Sequence, residues 1–280
     1  MNLTVIIATH KKFEAPKGDI FLPLHVGREG KEDLGYKGDN SGDHISHKNT
    51  NYCELTGLYW AWKNLDYDVL GLCHYRRYFD LNESHIQDTL YIDSKTLANQ
   101  GFSKERIEKT LNTYDLILPK EKVYEYSLEK DYCYSCSVED FEILTEVINE
   151  LYPDYADSWD RVANYSNKLM HYNMFIAPKR IIDPYFEWLF EILGEVEKRV
   201  KISPYPYQQR VFGFMSERLM QLYFTHNKFK IKKRSVLYVK DDQFEYNTPS
   251  AGMTFLSNAY KNFQFFLNVF PRKIKRSFAK

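Results

Sequence analysis

The stretch "GLCHYRRYF" (residues 71–79) sets a histidine, a tyrosine and two arginines, His74 to Arg77, directly after an apolar run. Arginine side chains bind phosphate or carboxylate groups through two parallel hydrogen bonds, and they stay charged when partly buried. If the preceding strand continues, side chains alternate, so His74 and Arg76 share one face while Tyr75 and Arg77 share the other. We therefore expect one arginine to contact an anionic ligand and the other to brace the segment. The alternative is a purely structural pair between arginine and a carboxylate.

A second group of polar residues lies in a long loop, whose centre reads "KGDNSGDHISHKN" (37–49). Asp39 and Asp43 could act as a general base or bind sugar hydroxyl groups, with Asn40 between them. The two carboxylates, together with His44 and His47, could instead hold a metal ion. An ordinary turn accounts for the same composition, since these residue types favour turns.

Other pairs of carboxylates or thiols do not favour a metal site. Asp66 and Asp68 have the D-x-D spacing of a magnesium or manganese site, but they precede a predicted strand and so lie at the wrong end of the sheet. We interpret them, and also Asp241-Asp242, as solvated turns. Cys133 and Cys136 have CxxC spacing, but neither a second such pair nor a histidine pair follows to complete a zinc site.

Two further segments carry candidate site residues. Asn173, in "HYNMFI", begins an apolar run, where a buried amide needs a hydrogen-bond partner. A helix predicted over 207–223 carries Arg210 and Glu217 on one face, because seven residues are close to two helical turns. Glu217 is followed by Arg218, and adjacent opposite charges are more typical of a structural pair than of catalysis.

The elements that must position these residues alternate between strands and helices. Buried strands are predicted from apolar runs at 3–11, 20–27, 69–73, 114–120, 172–179 and 235–239. Helices are predicted over 52–64, with Asn51 and Glu54 as a capping box, from Asp183-Pro184 to about Leu193, and over 207–223. This order indicates an α/β fold, with a mostly parallel sheet flanked by helices. In such sheets ligands bind beyond the carboxyl ends of the strands, which is where His74 to Arg77 fall.

Composition favours a globular protein and narrows its class. The 280 residues carry 38 Lys and Arg against 38 Asp and Glu, and their aromatic content of 16% includes 23 tyrosines, which suit either sugar stacking or the edge of a core. The sequence contains no apolar run long enough to span a bilayer, no leader and no phosphate-binding glycine loop. We therefore expect a cytoplasmic protein with reduced thiols, and not a P-loop nucleotidyl- or phosphotransferase.

Five stretches together carry a resemblance to a known family: "DNSGDHISHKNTNYCELTGLYWAWKN", "GLCHYRRYF", "HYNMFI", "EWLFEIL" and "RVFGFMSERL". They resemble bacterial capsule and exopolysaccharide glycosyltransferases long filed as a domain of unknown function, and the resemblance runs to about residue 240. It implies a single GT-A-like domain over 1–250. It also implies transfer of a hexose, galactose first among the candidates, from a UDP-sugar to a lipid-linked acceptor in capsule, exopolysaccharide or O-antigen synthesis.

The resemblance also implies roles for residues. The donor contacts would be Thr9 and His10 after the first strand, Asn40, the His74–Arg77 segment, Asn173 and Arg210. Glu217 becomes a candidate base beside Asp39 and Asp43. In GT-A enzymes the strand equivalent to 69–73 ends in a D-x-D motif that holds the metal and the diphosphate. His74-Tyr75-Arg76-Arg77 replaces that motif here, so we expect a metal-independent enzyme in which arginine neutralises the diphosphate, with Asp80 as the remaining candidate ligand for Mn²⁺ or Mg²⁺.

The end of the chain differs from the rest in charge. Residues 221–280 hold 12 Lys and Arg against 3 Asp and Glu. In 251–280 the aromatic residues precede a basic end, a pattern that fits docking on an anionic membrane and hence a peripheral position on its inner face. A terminal helix that packs on its own domain is the alternative. A non-catalytic module that binds anionic polymers through this tail is a second functional hypothesis, although we expect no nucleic acid as partner.

Overall fold

Strands with apolar residues on both faces build a ten-stranded sheet in the computed structural model, which describes residues 1–82, 85–240 and 247–278. Within these residues the strands are β1 (Leu3–Thr9), β2 (Phe21–His25), β3 (Lys37–Gly38), β4 (Val69–His74), β5 (Arg77–Phe79), β6 (Thr89–Ile92), β7 (Leu116–Pro119), β8 (Lys122–Val123), β9 (Lys168–Leu169), β10 (Phe175–Pro178), β11 (Ile231–Arg234) and β12 (Val236–Val239).

The main path of the sheet has the order β11-β7-β10-β4-β1-β2-β3. The central strand β1 runs parallel to β2 and β4, whereas β10 runs antiparallel to β4 and β7. The amino end of β10 therefore lies at the same edge as the carboxyl ends of β1, β2 and β4. We call this line of strand ends the carboxyl edge.

The helices of the described residues are α1 (Asn49–Tyr52), α2 (Leu55–Asn64), α3 (Ser94–Ala98), α4 (Lys104–Leu111), α5 (Leu128–Ser135), α6 (Val138–Leu151), α7 (Ala156–Tyr165), α8 (Lys179–Arg199), α9 (Val211–His226) and α10 (Ala251–Phe278). None of them combines the length and the apolar character needed to cross a membrane.

The chain forms two compact units that are interleaved in sequence. The first comprises Met1–Lys120, Tyr172–Trp188 and Phe229–Thr248 and contains the ten-stranded sheet. The second comprises Glu121–His171, Leu189–Lys228 and Pro249–Lys280 and contains the short β8–β9 pair with most of the later helices. A boundary near residue 250 between a catalytic domain and a tail stays a prediction.

Both faces of the sheet in the first unit are buried. Val5, Ile7 and Cys73 belong to one cluster of buried apolar side chains, while the alternating residues Ile6 and Leu72 face the opposite side. Gly71, in the middle of β4, lets the neighbouring strands pack closely, because a Cβ there would come within 3.0 Å of Ile176 and 3.2 Å of Val5. The mostly parallel sheet flanked by helices is thus as predicted.

Two predicted helix starts are wrong. Asn51 lies inside α1 and is not at the N-cap position of α2, because the chain breaks between α1 and α2 at Cys53, whose φ is 53°. The side chain of Asn49 supports this break through a 2.7 Å bond to the Cys53 carbonyl. Helix α8 begins at Lys179, so Pro184 lies within it and not in its first turn.

Candidate functional site

The His74–Arg77 segment is a tight hairpin at the carboxyl edge. Strand β4 ends at His74, and β5 returns antiparallel to it with His74 paired to Arg77. The predicted alternation, with His74 and Arg76 on one face, is therefore wrong, since the chain reverses through Tyr75 and Arg76. Residues directly opposite in an antiparallel pair project to the same side. His74 and Arg77 thus share a face, and both contact Tyr172.

The Arg77 guanidinium lies between two aromatic rings. Its central carbon is 4.3 Å from the centre of the Tyr172 ring and 5.1 Å from that of Tyr238. Its Nε is buried and donates to no acceptor among the described residues, and in that part of the chain no carboxylate forms an ion pair with it. Aromatic faces can hold a guanidinium in place without occupying its hydrogen-bond donors. Arg77 therefore presents an oriented cation with donors to spare.

Arg76 occupies the turn and packs differently. Its guanidinium carbon lies 5.3 Å from the centre of the Tyr75 ring. Tyr75 in turn packs edge-on against His10, with ring centres 5.3 Å apart. Arg76 is half-buried and lies near the end of β1. The structure thus separates the two arginines into different aromatic surroundings.

The start of β10 carries the candidate amide. Tyr172 and Asn173 both have left-handed backbone, with φ of 72° and 51°, and they form the turn before β10. Consecutive left-handed residues other than glycine are costly and concentrate at functional sites. The buried Asn173 donates a 2.7 Å hydrogen bond to Glu54, the residue just before α2. Glu54 supplies the predicted partner for the amide nitrogen of Asn173, and its side chain forms no capping hydrogen bond to α2.

His74 completes this group of contacts. Its Nε2 lies 2.7 Å from the Tyr172 carbonyl oxygen, which can only accept, so Nε2 carries the proton. This bond ties the end of β4 to the left-handed turn. The carboxyl edge therefore brings together His74, Arg77, Tyr172 and Asn173 from segments far apart in sequence.

Thr9 and His10, at the end of β1, show the electrostatic environment of the carboxyl edge. Thr9 is buried, and its hydroxyl donates to the Lys11 carbonyl at 2.6 Å, so it closes a local turn. The pKa of His10 is lowered. The main cause is partial burial of the ring, and the positive charges of Lys11, Lys31 and Arg76 lower the pKa further. The smaller contributions of the three cations show that positive charge lies near the carboxyl edge.

His25, at the end of β2, behaves in the same way. Burial lowers its pKa, and Arg28 and Lys31 lower it further against a smaller opposing effect of Asp39. Sequence reasoning missed this residue. Two histidines held toward the neutral form, with several cations around them, make the carboxyl edge suited to an anionic ligand.

Asp39 is a structural residue. Its side chain is fully buried and accepts hydrogen bonds from the backbone N–H groups of Gly27 at 2.8 Å and Arg28 at 3.0 Å. The hydroxyl of Thr56 donates to it at 2.6 Å, and that of Ser46 donates as well. A carboxylate so enclosed cannot reach a substrate proton, which argues against the general-base role predicted for it.

Asp43 lies away from the carboxyl edge. Its carboxylate accepts from the Tyr59 hydroxyl at 3.2 Å, and its carbonyl accepts from Asn64 at 2.7 Å, at the last residue of α2. Helix α2 packs on the residue after β2 through Gly57, where a Cβ would lie 2.7 Å from Val26. Because Gly57 is near the start of α2 and lies beside the carboxyl end of β2, the other end of α2, with Asp43, points away from the carboxyl edge. This argues against Asp43 as a base. Asn40 is exposed.

The second unit holds the remaining candidates. Glu217 on α9 faces His171, with Oε2 and Nδ1 3.4 Å apart, and the other ring nitrogen of His171 contacts the Tyr124 hydroxyl. The following Arg218 is buried and pairs with Asp131 at 2.7 Å, so it is structural. Arg210 precedes α9, is exposed and stacks on Phe214.

The structure describes most of the other residues that were considered as metal ligands. Asp66 and Asp68 are exposed before β4, and Asp68 accepts a 2.6 Å bond from the Asn2 N–H, in line with a turn. Burial raises the pKa of Cys133 and raises that of Cys136 to about 11, so neither thiol is activated. Buried Asp80 pairs with His85 at 3.0 Å. Asp241 and Asp242 lie outside the described residues.

Comparison with known proteins gives the family. The chain belongs to the family described as a domain of unknown function, DUF4422, whose profile matches residues 4–228. The predicted membership of a family filed as a domain of unknown function is thus confirmed.

A solved structure described as the apo form of WbbM, a bifunctional glycosyltransferase, is similar to this chain, with a TM-score of 0.80 and 27% sequence identity. The similarity covers 89% of this chain and 47% of the other, so this chain spans about half the length of that relative. The predicted GT-A-like fold class is confirmed by this similarity. A search of curated proteins found no match.

Proposed function

We propose that this chain is a glycosyltransferase that moves a hexose from a nucleotide-diphosphate sugar to a glycan acceptor in bacterial polysaccharide synthesis. The observation that carries the proposal is Arg77, held between Tyr172 and Tyr238 at the start of β5 with unused donors. It lies in a fold similar to that of a glycosyltransferase. Among ligands of such enzymes, the diphosphate of the donor is the group that a guanidinium fork fits best.

The donor would bind along the carboxyl edge. Arg77 would bond the diphosphate, and the positive potential around His10 and His25 would favour its charge. Asn173, oriented by Glu54, would meet the sugar or ribose hydroxyl groups. We take UDP as the nucleotide and galactose as the first sugar to test, on the resemblance alone.

A divalent metal is not needed in this proposal. Mg²⁺ and Mn²⁺ bind through oxygen ligands, whereas the end of β4 offers imidazole, phenol and two guanidinium groups. Those residues do not fit the metal that a D-x-D motif would hold. Arginine would supply the positive charge in its place, as it does in other phosphate sites.

Glu217 is our candidate for the general base that activates the acceptor hydroxyl. Its carboxylate is half-buried and faces His171, whose ring also contacts Tyr124. A carboxylate can accept the proton of the acceptor hydroxyl, and the neighbouring imidazole orients it for that step. Replacement by glutamine should abolish transfer and leave donor binding intact.

The acceptor would be lipid-linked, with α10 as a membrane contact. Met253, Leu256, Tyr260, Phe263 and Leu267 recur at intervals of three and four residues, and each keeps 50% or more of its surface exposed. Residues 251–280 contain 6 Lys and Arg and no Asp or Glu. The side chains of Phe270 and of the basic residues after Pro271 lie outside the described part. An apolar helix face followed by basic residues suits an anionic leaflet.

The experiment that tests the proposal is a calorimetric and thermal-shift screen of UDP-, GDP- and dTDP-sugars, each with and without Mn²⁺. We expect one nucleotide sugar to raise the melting temperature and bind saturably in the absence of metal. That donor is then offered with a lipid-linked glycan in a transfer assay. Binding of none of them, combined with steeply salt-dependent binding to anionic polymers, would favour the non-catalytic binding module instead.

A further inference from the structure

The loop between β2 and α2 groups two histidines with a glutamate that sequence reasoning did not connect to them. The ligand atoms of Glu29, His44 and His47 all lie within 4.8 Å of one another. Glu29 Oε2 is 3.9 Å from His44 Nδ1 and 3.7 Å from His47 Nδ1. We propose that these three side chains form a binding site for a divalent transition metal of the zinc type.

The two distances between Glu29 and the histidines are compatible with such an ion. Bonds of about 2.0–2.1 Å in a tetrahedral zinc site place neighbouring ligand atoms about 3.4 Å apart. The Glu29–His44 and Glu29–His47 separations exceed this by about 0.5 and about 0.3 Å, which small rotations of the side chains can remove. Glu29 and His47 are exposed and His44 is half-buried, so the ion can enter from solvent and water can fill the fourth position.

The backbone that carries the ligands is fixed by Asp39. This buried carboxylate binds the N–H groups of Gly27 and Arg28, which lead directly to Glu29. It also accepts from the Ser46 hydroxyl, between the two histidines, and that hydroxyl accepts a 3.1 Å bond from the Glu29 N–H. Asp39 therefore holds both halves of the cluster together, as partners behind metal ligands commonly do.

The ligand set selects the ion. Two imidazoles and one carboxylate suit Zn²⁺ or its neighbours, whereas Mg²⁺ and Ca²⁺ prefer oxygen ligands alone. Among the described residues, only the two histidines lie within ion-pair distance of the Glu29 carboxylate, so no Lys or Arg competes for it there. The Ser46 N–H donates to His44 Nδ1 at a long 3.4 Å, so that nitrogen carries no proton, and a zinc ion bound there would replace this weak hydrogen bond.

The test uses the full chain, stripped with a chelator and titrated calorimetrically with ZnCl₂ and, separately, with MgCl₂. We expect one saturable zinc site and no magnesium binding at equal concentration. The affinity for zinc should fall at least about tenfold in Glu29→Gln and in His44→Ala/His47→Ala, since even groups behind a metal ligand are worth that much. Zinc should raise the melting temperature of the wild type and not that of the double variant.

Two variants serve as controls. Cys133→Ser removes the more accessible thiol of the CxxC pair, and His85→Gln removes a surface imidazole elsewhere. Both should bind zinc as the wild type does. Zinc binding that is unchanged in the double histidine variant, or lost in Cys133→Ser, would overturn the site, as would the absence of saturable binding by the folded wild type.

Discussion

Arg77 stacks on Tyr172, with 4.3 Å between the guanidinium carbon and the ring centre, although the two residues belong to distant parts of the sequence. The contact joins the β4–β5 hairpin to the left-handed turn before β10. It also explains how a half-buried arginine stays oriented in the absence of a carboxylate partner among the described residues. The aromatic ring positions the cation and leaves its hydrogen-bond donors for a ligand.

Replacement of Arg77 by alanine should weaken binding of the nucleotide sugar by about 1.5–3 kcal/mol, the usual value of a hydrogen bond to a charged group. Arg77→Lys keeps the charge but loses the fork and the stacking, so it should recover only part of the affinity. Calorimetry measures both, with Arg76→Ala as the matched control. Wild-type affinity in Arg77→Ala would exclude this arginine as the diphosphate ligand.

Substitution of Asp39 should lower the stability of the protein, because its carboxylate holds a buried hydrogen-bond network and has no direct role in the chemistry. Asp39→Asn replaces one acceptor oxygen by an NH₂ group that faces donors, so about two of four bonds to the carboxylate fail. At about 1.5–3 kcal/mol for each bond, the free energy of unfolding should fall by at least about 3 kcal/mol. Chemical denaturation measures the change.

Asp43→Asn is the control for that experiment, because the exposed Asp43 carboxylate makes one long bond to Tyr59. Its effect should stay within about 0.5 kcal/mol, as for most surface substitutions. Equal stability of the Asp39 and Asp43 variants would contradict the assigned difference between these two residues.

The strands and the carboxyl edge could be predicted because their signals are local. Continuous apolar runs mark β1, β4, β7 and β10, and the position of His74 to Arg77 follows from the end of β4. The side of the sheet to which these side chains project could not be predicted, because the two-residue turn at Tyr75-Arg76 contains neither glycine nor asparagine. The reversal of the chain is imposed by pairing of β5 with β12.

Residues that act through distant contacts escaped prediction for a different reason. Tyr172 and Tyr238 look like ordinary strand residues, and only the fold brings them to Arg77. Asp39 resembled a general base because two of its four partners are backbone N–H groups, which no sequence pattern reveals. Glu54 fitted a capping box by spacing, yet it bonds Asn173.

The lowered pKa of His10 predicts that donor binding takes up a proton. In the free protein, burial and then Lys11, Lys31 and Arg76 keep this pKa below 6.5. A bound diphosphate adds negative charge and raises the pKa, so the complex holds more protons than the free protein in the pH range between the His10 pKa values of the two states. By linkage, affinity for the donor should then increase as the pH falls through this range.

Calorimetry at about pH 6 in two buffers of different ionisation enthalpy measures this uptake, because the observed heat then depends on the buffer. A nucleotide sugar is the suitable ligand, since its diphosphate diester does not titrate in this range. His10→Gln should reduce the uptake. Identical heats in both buffers for the wild type would contradict the expected shift of the His10 pKa.

The exposed face of α10 predicts binding to anionic membranes. Leu256→Glu/Phe263→Glu places two charges within the row formed by Met253, Leu256, Tyr260, Phe263 and Leu267. Burial of a leucine or phenylalanine side chain is worth about 1.5–3 kcal/mol, so recovery with floated anionic vesicles should fall at least about tenfold. Ser257→Glu, also exposed but outside the row, adds a charge to the same helix and should retain most of the binding. Equal flotation of all three proteins would show that this face does not meet the membrane, and a loss of dimer on gel filtration in the double variant would assign it to self-association.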